Sequence, residues 1–201
     1  MRSRLAILAI LAVAASCVTE PEPNPLDRYE EVPATTILDA PHPRPGLSAP
    51  GDRDLALRGE YLVELLACGA CHTDGALIGE PKMDKPLAGS QVGIAWSNPL
   101  GDEYPGVVYP PNITPDLETG IGAWSDRQIS NAVRSGIGRH GDRRISAMPW
   151  RGYATISNED IEAITAYLRS IEPISHAVPA EVSPGSRARY PFVYFGVYRS
   201  R

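Results

Sequence analysis

Cys68-Gly69-Ala70-Cys71-His72 is the stretch on which the reading of this chain turns. Two thiols three positions apart with a histidine directly behind them form the attachment sequence of a c-type haem. Cysteines one helical turn apart can each add to one of the two porphyrin vinyl groups, forming two thioether bonds, and His72 is then held under the iron. Iron in such sites takes an imidazole on one face and leaves its other axial position to the rest of the fold. The sequence must therefore offer a second ligand or leave the site open. Two other uses of the cysteine pair find less support. A structural zinc site wants four ligands, and a thioredoxin-like pair wants a βαβ pattern. The chain supplies neither a clear second ligand pair nor that alternation.

A chain of 201 residues with 43% hydrophobic content has room for one domain with its own core plus attached segments. Residues 1–16 stand apart from that core. Arg2 and Arg4 precede an apolar run over 5–15 that is too short to span a bilayer and reads as an export signal. Ala14, Ala15 and Ser16 lead into Cys17, an arrangement similar to a bacterial lipoprotein processing site, with Cys17 as the lipidated first residue. The alternative is an ordinary secretory signal cut later, with Cys17 discarded. Lipid on Cys17 and haem on Cys68 and Cys71 would leave no thiol for a disulfide, and a lipid would anchor the protein to a membrane without spanning it. Removing Arg2 and Arg4 takes Lys plus Arg from 19 to 17 against 24 Asp plus Glu, a net charge of −7. Such a surface excludes nucleic acid as a partner, because phosphate binding needs a basic footprint.

Residues 17–53 hold the lipid site and a segment dense in proline, with Pro21, Pro23, Pro25, Pro33, Pro41, Pro43, Pro45 and Pro50. This composition predicts an extended spacer, although Tyr29, Val32, Ile37 and Leu38 offer apolar groups for packing on the domain. From Asp54 the pattern turns helical, with Leu55, Ala56, Gly59, Leu62, Val63 and Leu66 on one stripe leading into the haem motif. Gly59 in that helix predicts close approach of another helix, and Tyr167 is the residue expected to meet it. Residues 74–115 read as long loops with a small hairpin. Ser125 with Gln128 forms a capping box, with Trp124 and Ile129 as staple and Gly136 as stop. Ser157 and Asp160 repeat that grammar before Ile161, Ile164, Leu168 and Ile171, and Pro173 ends the helix. Residues 181–201 form an aromatic tail that either packs back or docks on a partner.

Between the last two helices lies Ser146-Ala147-Met148-Pro149-Trp150. Met1 belongs to the signal and Met83 to a charged loop, so elimination makes Met148 the thioether candidate for the sixth position. His/Met ligation raises the reduction potential relative to two nitrogen ligands. Core filling is the ordinary fate of methionine. The rivals His140, in a polar turn, and His176, beyond the last helix, are less well placed.

With these elements in order, the chain over 54–180 resembles a class I monohaem cytochrome c: an all-α fold of three to four helices and long loops around one covalent haem c. Asn112-Ile113-Thr114-Pro115-Asp116, Glu118-Thr119-Gly120-Ile121-Gly122-Ala123-Trp124-Ser125-Asp126 and Met148-Pro149-Trp150 through Tyr153 are similar to the cytochrome c subunits of bacterial membrane-bound alcohol and gluconate dehydrogenases and their free-standing relatives. Those subunits typically carry three haem motifs, whereas this chain has one. The resemblance implies that Asn112 and Thr114 bond a haem propionate, turn capping being their other role. It also implies that Trp124, Trp150 and Tyr153 line the pocket and that the Pro86 carbonyl accepts the free N–H of His72. Arg134, Arg139, Arg143, Arg144 and Arg151 make a basic stretch, suited to propionates, to docking an acidic redox partner, or to solvent.

The function expected is one-electron transfer by an exported, periplasmic, membrane-tethered carrier rather than an enzyme. Its partners would be a dehydrogenase, an oxidase or another cytochrome. The alternative is a gas-binding or sensing haem protein with an open sixth position.

Overall fold

The computed structural model describes residues 25–48, 52–96, 103–143 and 147–194. The signal segment, Cys17, Arg144 and the tail beyond Tyr194 lie outside them. In chain order the elements are a 3-10 turn Pro25–Arg28, α1 Ala34–Leu38, α2 Arg53–Leu65, α3 Cys68–His72 and a 3-10 turn Ala76–Ile78. Strands β1 Gly93–Ala95 and β2 Val107–Val108 follow, then α4 Asp126–Ser135, α5 Trp150–Tyr153, α6 Asn158–Ser170 and β3 Phe192–Tyr194.

Helix α2 begins where the Asp52 side chain accepts from Leu55 N, and it buries Ala56, Gly59 and Val63. Those three lie on one face because their spacing follows the helical repeat. That face crosses α6, which buries Ile161, Ala163, Ile164, Tyr167 and Leu168. The crossing is close because Gly59 has no side chain. A Cβ built there would run into the backbone carbonyl of Ala163 and come within 2.7 Å of the Tyr167 Cβ. The helix contact expected of Gly59 is therefore present, and it is made by the Ala163 backbone and the Tyr167 Cβ. Tyr167 is itself 1% exposed and donates its hydroxyl to the Pro45 carbonyl at 2.9 Å.

The caps follow the expected chemistry with one exception. Ser125 and Gln128 form a reciprocal capping box, and α4 ends at Gly136 in the left-handed region, φ 62°. Ser157 accepts from Asp160 N, but the Asp160 carboxylate pairs with Arg58 on α2 and with the Ser157 hydroxyl rather than with the cap's backbone amide. A long arginine across the helix pair offers that carboxylate a charged partner, which outcompetes a backbone amide.

One expectation is corrected, and two open alternatives take one form. The fold is not purely helical: β1 pairs antiparallel with β2 and parallel with β3, giving a three-stranded sheet in the order β2-β1-β3. The aromatic tail up to Tyr194 thus packs back onto the domain, aided by an antiparallel bridge between Val107 and Val182. The proline-rich segment is no free spacer over 25–48. Ser48 N donates to Ser170 O at 2.6 Å, Leu47 bridges Ile171, and Arg44 pairs with Glu64 at 2.8 Å. Tyr29 stacks edge-on against Tyr194 with ring centroids 4.8 Å apart. Proline holds a chain extended whether it is free or laid along a surface, and here the surface offers partners. The largest apolar cluster gathers Val63, Leu87, Ile121, Ile129, Ile161, Ile164, Tyr167, Leu168 and Ile171, while a second holds Leu77, Val92, Ile94 and Val108.

Replacing Gly59 by alanine should cost about 1–3 kcal/mol, the usual range for overpacking, because the Ala163 backbone cannot retreat without shifting α6. Denaturant unfolding of the mature protein, compared with Gly152→Ala where a Cβ meets nothing within 4 Å, measures it.

Candidate haem site

The site starts where α2 stops. Leu66 is its C-cap, and Ala67 follows in the left-handed conformation, φ 53°, before α3 carries Cys68 to His72. A left-handed alanine is unfavourable by roughly 1 kcal/mol, and the reversal it makes turns the cysteine pair away from the α2 axis. The carbonyl of Leu66 at this helix end takes the Tyr153 hydroxyl at 3.1 Å, so α5 is fastened to the start of the motif.

Cys68 packs on the larger apolar cluster and Cys71 on the smaller one, so the motif bridges the two. Burial first, then the neighbouring Cys71, pushes the Cys68 thiol up to about 12. Burial pushes Cys71 up as well. Burial also raises Tyr153, with further contributions from Cys68 and then Cys71. All three groups thus stay neutral near pH 7 in a weakly polar pocket.

His72 is oriented by the Pro111 carbonyl, 2.8 Å from Nδ1. A carbonyl can only accept, so Nδ1 carries the proton and Nε2 presents a lone pair. Burial lowers the ring's basicity, opposed by the Pro111 bond. The ring is therefore held in the neutral form that a metal ligand requires. The acceptor expected was Pro86, and this is corrected to Pro111. The Pro86–Gly89 turn lies along the backbone beside His72: Gly89 N donates to His72 O at 2.8 Å, and Leu87 N donates to Thr73 Oγ1 at 3.1 Å. It is the Pro110-Pro111 pair, aligned by Ser90 N on Pro110 O at 2.9 Å, that reaches the ring. Ser90 takes the first carbonyl of the pair and His72 the second, and the sequence carries no local signal for that division.

Asn112 and Thr114 are also corrected. Asn112 is 2% exposed, and its amide donates to Thr119 Oγ1 at 3.0 Å and Ile174 O at 2.7 Å. Its carbonyl oxygen accepts from Thr114 N at 2.9 Å and Thr114 Oγ1 at 2.7 Å. With every hydrogen-bonding position of Asn112 engaged by protein, the two residues latch their loop to the 174–176 segment, as in the turn-capping alternative.

Met148 is half-buried between Ala147, which packs on the cluster that receives Cys71, and Trp150, whose amide donates to Met148 O at 2.8 Å. Its rivals face elsewhere. Met83 is half exposed, His140 is exposed, and the His176 ring is bonded to Ala88 O at 2.9 Å. Trp150 has Arg143 and Arg151 stacked near its ring at 5.3 and 5.4 Å, and Trp124 packs on the larger cluster. Arg134 donates to Asn158 and Ile156, and Arg139 to Ala123. These two arginines thus serve the fold.

A family model described as cytochrome c oxidase, cbb3-type, subunit III matches residues 54–168. The chain belongs to this cytochrome c family. Membership implies covalent haem c, and the donor set fits it: two sheltered thiols on one helical turn, flanked by apolar clusters, with an imidazole nitrogen available directly after them. The cytochrome is 38% identical over 124 residues to the gluconate 2-dehydrogenase cytochrome c subunit of Pantoea cypripedii, covering 61% of this chain and 25% of that protein. It is 37% identical over 125 residues to the cytochrome c subunit of the quinone alcohol dehydrogenase of Gluconobacter oxydans, covering 62% and 23%. A diheme cytochrome c-type of Cereibacter sphaeroides is 27% identical over 122 residues, covering 61% and 38%. The chain thus spans about a quarter of the length of the first two relatives.

Tyr153→Phe removes the hydrogen bond from α5 to Leu66 O while keeping the ring. A loss of about 1 kcal/mol is expected in equilibrium unfolding, with the haem still attached.

Proposed function

We propose that the chain is a single-haem electron carrier, exported to the periplasm and tethered through lipid on Cys17. It would accept electrons from a dehydrogenase and pass them to an oxidase or another cytochrome. The observation that carries this reading is the His72 imidazole, committed through Nδ1 to Pro111 O directly behind two sheltered thiols. Cys68 and Cys71 would hold the cofactor covalently, His72 would ligate through Nε2, and Met148 would close the opposite face. When bound, haem c supplies one-electron chemistry between ferric and ferrous iron. The chain's own part is to hold the axial donors, exclude water with the two apolar clusters, and keep the Tyr153 phenol and the His72 imidazole uncharged. The relatives' names, cytochrome c subunits of gluconate and alcohol dehydrogenases, support a dehydrogenase as donor. Among the described residues no helix is long and apolar enough to cross a membrane; the attachment proposed is the lipid on Cys17.

Protein made with a functioning haem-attachment system should keep one haem per chain through denaturation and acid–acetone extraction, and Cys68→Ser with Cys71→Ser should lose it. Reduced wild type should not take up carbon monoxide, whereas Met148→Ala should. Carbon monoxide binding to the wild type would contradict the closed site. Palmitate labelling of wild type but not of Cys17→Ser tests the tether.

A further inference from the structure

We propose that Asn112 is a positioning residue for the axial histidine, holding the Pro111 carbonyl where it receives the His72 ring proton and so setting the electron density on that imidazole. The inference rests on the proposed haem ligation by His72 and adds a determinant of its redox behaviour. Three observations carry it. First, the proline ring fixes φ at Pro111, so the direction of its carbonyl is set by the rotation of the Pro111–Asn112 peptide plane, and hence by how Asn112 is held. Second, that unit lies directly on Gly89: a Cβ there would meet Asn112 N at 2.6 Å and the Pro111 carbonyl carbon at 2.8 Å. Gly89, at φ 86°, donates its own amide to His72 O, so the histidine backbone, the glycine and the Pro111–Asn112 peptide are stacked in register. Third, Asn112 is the buried residue that follows, with four hydrogen bonds to Thr119, Ile174 and Thr114. Ile174 lies beyond the end of α6. The carbonyl facing His72 is thus tied through one side chain to the segment that follows the last helix.

The consequence follows from how a ligating imidazole responds to its outer hydrogen bond. A well-aligned carbonyl at Nδ1–H makes the ring a stronger donor through Nε2 and favours ferric iron, and a slackened one does the reverse. Removing the Asn112 amide frees the Pro111 peptide to rotate and lengthens that bond.

The test uses the mature holoprotein, with Asn112→Ala and Thr119→Val, the second removing the acceptor of one Asn112 amide proton together with the Thr119 hydroxyl's bonds to Asp116 and the His176 amide. Ala56→Gly, buried in α2 and outside both apolar clusters, is the control for simple destabilisation. Two readouts are taken: the reduction potential, and solvent exchange of the His72 Nδ1 proton by NMR of nitrogen-15-labelled protein. Asn112→Ala should raise the potential and speed the exchange at least tenfold, Thr119→Val should move both the same way by less, and Ala56→Gly should move neither. An Asn112→Ala protein matching Ala56→Gly in both overturns the positioning role. If Asn112→Ala does not mature, Thr119→Val decides by the same comparison. A wild-type protein without covalent haem overturns the proposed function together with this inference, whereas a variant behaving like the control overturns the inference alone.

Discussion

The close crossing of α2 and α6 at Gly59 is the constraint on which the rest depends. Because the two backbones meet at the Ala163 carbonyl, the end of α2 is placed with little freedom, and the reversal at Ala67 then aims the cysteine pair. The same helix pair carries the Arg58 to Asp160 contact, and Arg44 of the proline-rich strap reaches Glu64 on α2. A looser crossing, with a side chain at Gly59, would move the motif relative to both apolar clusters. The thiols could then no longer sit one on each.

What surrounds the motif is mostly irregular chain, and irregular chain needs partners for its backbone groups. Here they come from a small set of buried polar residues. Thr73, fully buried, holds Leu87 in its left-handed turn; Ser90 holds Pro110; Asn112 and Thr114 hold each other and Ile174. The polar network lies on the His72 side of the motif, while Met148 stands in a short segment among Trp150, Arg143 and Arg151. The His72 side is therefore over-determined by hydrogen bonds, whereas the Met148 segment rests on packing and on ring contacts with cations. That asymmetry would suit the proposed site, in which the imidazole is held in one tautomer while a flexible thioether adapts to the metal.

Much of this was legible in the chain because the signals are local. The capping box at Ser125 and Gln128, the stop at Gly136 and the need for a neighbour at Gly59 each follow from chemistry within a few residues or from one missing side chain. The cofactor motif is five consecutive residues. What escaped was set by partners distant in sequence. β3 joins β1 across nearly a hundred residues, and strands three residues long carry no periodicity to announce it. Asp160 left its capping position for Arg58, a choice settled only once two helices cross. The acceptor for His72 came from Pro111, thirty-nine residues away, rather than from the nearer Pro86. Asn112 and Thr114 were legible as turn-forming residues, but their orientation, inward to Ile174, depends on where α6 ends.

The central claim, that His72 and Met148 are the two axial donors of a closed site, is tested most directly by proton NMR of the reduced protein labelled with carbon-13 at its methionine methyls. The account predicts one methyl resonance driven strongly upfield by the porphyrin ring current, assigned to Met148 by its absence in Met148→Leu, with the Met83 methyl in its ordinary range. All methionine methyls in the ordinary range, in a reduced protein that retains its covalent haem, would contradict it.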